Sequence, residues 1–120
     1  LITTFDGLSP EIVTTAVARG RFCELLAPVI GAEQRANDLF FAGLFSMADM
    51  MMGVPIEDAL HSIPMDESSR RAILDPTSEF GLVLGAAMAY QRADWPEYVD
   101  LAARAGIRVC EAMARRGVVP

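Results

Sequence analysis

One histidine, two cysteines and sixteen carboxylates make up the metal-ligating and acid-base inventory of this chain of 120 residues. A hydrolytic metal needs imidazole or carboxylate ligands converging at about 2.0 to 2.2 Å, with one coordination position left open. The lone histidine, His61, stands in a short segment bounded by prolines, and one imidazole cannot build a histidine-rich site. It reads as a surface or helix-end residue. Cys23 and Cys110 have no C-x-x-C spacing and lie in apolar helical patterns, so they read as small core residues rather than zinc ligands or redox thiols.

The carboxylates fare no better as a catalytic pair. On a continuous helix Asp38 and Asp49 return to within about 20° of one face, but lie about 16 Å apart along the axis. Carboxylates that share acid-base work in glycoside hydrolysis sit within about 5 to 10 Å. Asp38 and Asp49 therefore read as part of a thin polar seam with Arg35 and Ser46, and Glu24 as the partner of Arg21 in a helix-surface ion pair. No catalytic, cofactor-binding or metal-ligating residue is assigned, and no cofactor is expected.

The elements that carry these residues are helices. Apolar periodicity is helical throughout, and no segment alternates as a strand does, so the fold class is all-α, a compact bundle of about six or seven helices. Ser9-Pro10-Glu11 starts the first helix. Gly20 weakens its middle, Pro28 kinks or divides it, and Gly31 ends it. A central helix is expected from about Ala32 to Met52, apolar on nearly every side from Leu39 onward. On that reading Phe40, Phe41, Phe45 and the run Met47, Met50, Met51 and Met52 fill the core, although thioethers also line adaptable grooves.

Gly53 caps this helix, and a short helix runs from Val54-Pro55 to Ser62. Asp66 caps the next, with Asp66–Arg70 and Glu67–Arg71 as i,i+4 pairs. Thr77 or Ser78 begins a helix whose Gly81, Gly85 and Ala89 offer a smooth face for close packing. Asp94 and Glu97 form a capping box around Trp95-Pro96, and Gly106 separates that helix from a last one.

The stretches Arg21 to Ala27, Phe40 to Asp49 and Ala89 to Trp95 together resemble the HDOD domain, a degenerate relative of the HD phosphohydrolases, in the version that follows an EAL domain in bacterial signalling proteins. The resemblance runs from about Pro10 to Trp95. In HD hydrolases the corresponding helix reads Gly-Leu-Leu-His-Asp, and that His-Asp doublet holds metal with a histidine of the preceding helix. Here Ser46-Met47 stands in place of the doublet, and Thr14 to Ala18 contains no histidine. The resemblance implies residues 1–120 as the C-terminal part of a single HDOD-like domain, an excised piece that opens on Leu1.

Function follows from loss of ligands. The expectation is a non-catalytic output or regulatory module of a cyclic di-GMP-related bacterial signalling protein, in contact with another domain of the same protein, such as an EAL domain, or with a second copy. The alternative is a small-molecule sensor with an apolar pocket around the central helix. A net charge of −6 with no lysine disfavours nucleic acid. Arg104, Arg108, Arg115 and Arg116 read as a solvated face with favourable charge at a helix C-terminus. No apolar run reaches the roughly 20 residues of a membrane span, and two well-separated cysteines without a signal sequence place the chain in a reducing cytoplasm. A hydrophobic content of 52% leaves apolar surface over for a partner.

Overall fold

The computed structural model describes residues 9–107, and it is all-helical across them. Seven α-helices follow one another: α1 Pro10–Leu26, α2 Ala36–Phe45, α3 Ala48–Met52, α4 Ile56–His61, α5 Glu67–Leu74, α6 Glu79–Gln91 and α7 Trp95–Ala105, with a 3-10 turn at Glu33–Arg35 before α2. No strand occurs among the described residues. Cys110, Arg108, Arg115, Arg116 and the helix expected after Gly106 lie outside them.

Local chemistry starts and stops these helices. Ser9, Asp66, Ser78 and Asp94 each accept a hydrogen bond from a backbone N–H of the first turn they precede, satisfying donors that no helical carbonyl can reach. Gly53 and Gly106 adopt the left-handed conformation at the ends of α3 and α7, with φ of 69° and 82°. Regular α1 stops at Leu26, and residues 27–31 turn away through Pro28 to Gly31 at φ 75°.

The helices assemble around one crossing. A Cβ on Gly43 would lie 2.6 Å from the Gly20 Cα, and one on Gly20 would lie 2.7 Å from the Phe40 carbonyl oxygen. Only glycine at both positions lets the backbones of α1 and α2 approach this closely. Gly20, expected to weaken α1, is instead where α1 meets its most extensive partner. Helix α6 packs across both, and Cys23, Leu39, Ala42, Phe80, Val83 and Ala87 close the core between them.

Helix α7 extends the core through Tyr98 and Ala102, and Ile107 just past its Gly106 cap joins them. Phe22, Tyr90, Trp95 and Tyr98 join in a run of tilted and edge-to-face rings 4.9 to 5.4 Å apart. The small-residue face of α6 has two uses. Gly85 makes room for Leu101 of α7, whereas Gly81 makes room for the Asp75 carbonyl of the loop just before its own helix.

The central helix and the i,i+4 ion pairs do not form as expected. The single helix from Ala32 to Met52 is broken, first by the 3-10 turn and then at Ser46-Met47, so that α2 and α3 are separate. Asp66 pairs with Arg35 at 2.7 Å instead of Arg70, and Arg71 reaches Asp75 at 3.6 Å instead of Glu67. Arg70 instead donates to the Leu60 carbonyl at 3.0 Å. A guanidinium held between two carboxylates, Asp38 and Asp66, outcompetes an exposed pair on one helix.

Candidate functional site

The break between α2 and α3 is a polar clamp built by three helices. The Ser46 hydroxyl donates to the Gly43 carbonyl at 2.7 Å, turning back one helical step. Its oxygen accepts from Arg19 Nη1 of α1 at 3.1 Å. Arg19 Nε donates to Gln91 Oε1 at the end of α6 at 2.7 Å, and Gln91 Nε2 donates to the Thr15 carbonyl at 3.1 Å. Burial pulls the Arg19 guanidinium below the ordinary arginine value, Cys23 opposes this, and nearby Arg92 adds to it. Arg19 thus ties α1, α2 and α6 together through neutral partners.

The clamp has the geometry of a brace. Serine becomes a nucleophile when a neighbouring base takes its proton, but the Ser46 proton is committed to a carbonyl and its other partner is a cation. Met47 beside it is buried. Among the described residues no three His, Cys, Asp or Glu side chains converge on a point where a metal would sit.

The other residues singled out in sequence are dispersed. His61 ends α4 and is exposed. Asp38 pairs with Arg35, and Asp49 turns back to accept the Met50 N–H at 2.9 Å. Because the chain breaks between them, Asp38 and Asp49 do not share one seam as a continuous helix would require. Arg21 and Glu24 form the expected ion pair at 2.9 Å. Arg104 pairs with Asp100 at 3.3 Å in the last turns of α7. Cys23 is fully buried, and burial pushes its thiol up to about 12, with Arg19 opposing.

The apolar residues divide in a way that their spacing does not reveal. Met47 is buried, but Met50 is 56% exposed and Met52 45% exposed, and Phe41 is 43% exposed against the expectation of core. Phe41 stacks on Phe45 with centroids 5.8 Å apart. Together with Ile63, Pro64 and Met65 they line a cleft of about 350 Å³, whose polar edge is Asp38, Asp66 and Ser69. Hydrogen bonding to Asp38 raises the Arg35 guanidinium, and the Ser68 N–H followed by Arg35 holds the Asp66 carboxyl below its usual range. Buried Ser69, not singled out in sequence, donates to the Asp38 carbonyl at 2.9 Å and pins α5 to α2.

The class defined so far is an all-helical module, braced at Ser46 between α2 and α3, with exposed apolar side chains beyond the brace. Two curated proteins are similar to it in sequence. One is "Cyclic di-GMP phosphodiesterase CdgJ" of Vibrio cholerae serotype O1, 24% identical over 85 residues, which is 71% of this chain and 20% of that protein. The other is "Uncharacterized protein YuxH" of Bacillus subtilis, 24% identical over 91 residues, 76% of this chain and 22% of that protein. The chain thus spans about a fifth of the length of the curated relatives it matches. No protein-family profile and no solved structure matches it. No helix among the described residues is long and apolar enough to cross a membrane.

Proposed function

We propose that this chain is a non-catalytic regulatory module of the HDOD type in a cyclic di-GMP-related bacterial signalling protein, acting through contacts with a neighbouring domain. The observation that carries the reading is the similarity to the Vibrio cholerae cyclic di-GMP phosphodiesterase over most of this chain. Support for a non-catalytic role comes from Ser46, whose hydroxyl is engaged by a carbonyl and a guanidinium. Support for contact comes from the exposed side chains of α3.

Two measurements test the proposal. Light scattering of the chain mixed with an EAL domain from the same protein should give a complex, and a strict monomer indifferent to that domain would overturn the contact role. Elemental analysis of the purified chain should find no stoichiometric manganese or iron. Protein-bound metal at one equivalent would overturn the non-catalytic reading. A second reading, a sensor of apolar small molecules, is favoured by the cleft beside Phe41, Phe45 and Met65. It predicts that a specific lipophilic ligand raises the melting temperature, and that Phe45→Ala abolishes the rise.

A further inference from the structure

We infer that the hairpin of α3 and α4 is a docking surface for a cationic amphipathic helix of a partner domain, an inference that rests on the contact role proposed above. Three side chains within five residues, Met50, Met52 and Val54, are 56%, 45% and 38% exposed on either side of the Gly53 turn. Flexible thioethers adapt to apolar side chains of differing shape, which is why methionine recurs on surfaces that grip helices. Apolar surface alone does not identify an occupant.

The charges around it do. From Ala36 to Ser69 the chain has no lysine or arginine and six carboxylates, Asp38, Asp49, Glu57, Asp58, Asp66 and Glu67. Asp38 and Asp66 share Arg35 as their ion-pair partner. Asp49, Glu57 and Asp58, all on the hairpin, have no ion-pair partner among the described residues. By contrast, Arg21, Arg35, Arg71, Arg92 and Arg104 each meet a carboxylate. The hairpin therefore holds three carboxylates without ion pairs and three exposed apolar side chains within ten residues of chain, and its electrostatic complement is lysine or arginine flanking an apolar stripe. A two-fold pairing of two copies through this surface would set carboxylate against carboxylate. An anionic nucleic acid or lipid surface would be repelled.

The test uses the whole 120-residue chain and a dye-labelled peptide of leucine and lysine, about 18 residues long, with leucine at helical i, i+3, i+4 spacing. Two controls accompany it: the same composition shuffled to destroy the apolar face, and a leucine-glutamate version. Fluorescence anisotropy should show the amphipathic cationic peptide binding at least about tenfold tighter than either control. The double variant Met50→Gln with Met52→Gln should weaken it by about tenfold. Neutralisation by Asp49→Asn, Glu57→Gln and Asp58→Asn should weaken binding and flatten its dependence on salt.

Circular dichroism verifies that the variants remain folded, and the charge triple alone decides the matter if the methionine pair does not. Equal binding of the shuffled peptide, affinity indifferent to both sets of substitutions, or no binding to the wild-type chain overturns the inference. A complex with the EAL domain that survives all these substitutions would remove the surface and leave the module reading standing. Peptide binding without any domain complex would do the reverse.

Discussion

Where α1 crosses α2, two glycines bring the backbones so close that a single added carbon would strike main-chain atoms, and the surrounding core is closed by side chains of four helices. In the α3–α4 hairpin, by contrast, Met47, Ala48, Ala59 and Leu60 are buried while Met50, Met52 and Val54 face outward. The two regions are similarly apolar in sequence but differ in how many neighbours constrain them. At the crossing, small residues create contact by vacating space. In the hairpin, large ones are left without cover. Hydrophobic content therefore locates neither core nor interface until the crossing points are known.

Substitution of Gly43 should break the comparison most severely. In Gly43→Val the new Cβ meets the Gly20 Cα at 2.6 Å and the Arg19 carbonyl at 2.8 Å, atoms that cannot swing aside. A loss of about 3 kcal/mol in urea denaturation is expected. The control is Gly53→Ala, where nothing lies within 4 Å and only the left-handed φ of 69° is strained. It should cost about 1 kcal/mol. Equal losses from the two substitutions would mean that the crossing is no tighter than the hairpin.

Leu60 tests whether the hairpin opens by itself. Leu39 and Leu60 are both fully buried, one beside the crossing and one anchoring α4. Truncation of Leu39 to alanine should cost about 3 kcal/mol of global stability. Leu60→Ala should instead speed amide exchange mainly between Ala48 and His61, because a peripheral element can detach below the global transition. Uniform acceleration along the chain in Leu60→Ala would make the hairpin part of the core.

What could be read in the sequence is the chemistry that acts within one turn. The Ser9, Asp66 and Asp94 caps and the Gly53 and Gly106 stops are local, and the structure bears them out, choosing Ser78 where sequence offers Thr77 or Ser78. The ligand-poor character of position 46 is also local. What escaped is long-range. Gly20 looks like a defect until Gly43 is placed against it, and two glycines retained inside helices were the signal available. At the break, Ser46 accepts a hydrogen bond from Arg19, 27 residues away in sequence. Helical periodicity carries no trace of such a partner, so the Met run looked like a continuous buried helix.

Cys23 reports on the core side through pH. Its unfolded thiol loses a proton near pH 8.5, whereas burial holds the folded thiol to about 12. The raised value means that the stabilisation is complete below about pH 8.5 and declines as pH rises toward the folded value, by at most about 1.4 kcal/mol per unit. Urea midpoints should fall between neutral pH and about pH 9.5 in the wild-type chain, and the part of the fall that comes from Tyr98, whose hydroxyl burial also raises, is common to both chains compared. They should fall less in Cys23→Ala, and Cys110, present in both chains, cancels from the difference. A slope unchanged by the substitution would show that water reaches the thiol.

The smallest effect sits where the two regions join. Ser46→Ala removes a hydroxyl that donates to Gly43 and accepts from Arg19, while Arg19 keeps its 2.7 Å bond to Gln91. The site is half-buried, so water can serve the orphaned groups, and the loss should be about 1 kcal/mol rather than the cost of a sealed polar atom. Alanine also favours continuing the helix that serine interrupts. With the brace gone, α2 and α3 gain freedom to join, which would re-aim Met50 and Met52. Ser46→Ala should therefore weaken cationic-peptide binding more than its small stability loss would predict, and Ser46→Thr, which restores a hydroxyl, should recover both. If peptide affinity follows stability alone, the clamp braces the core without setting the direction of the hairpin.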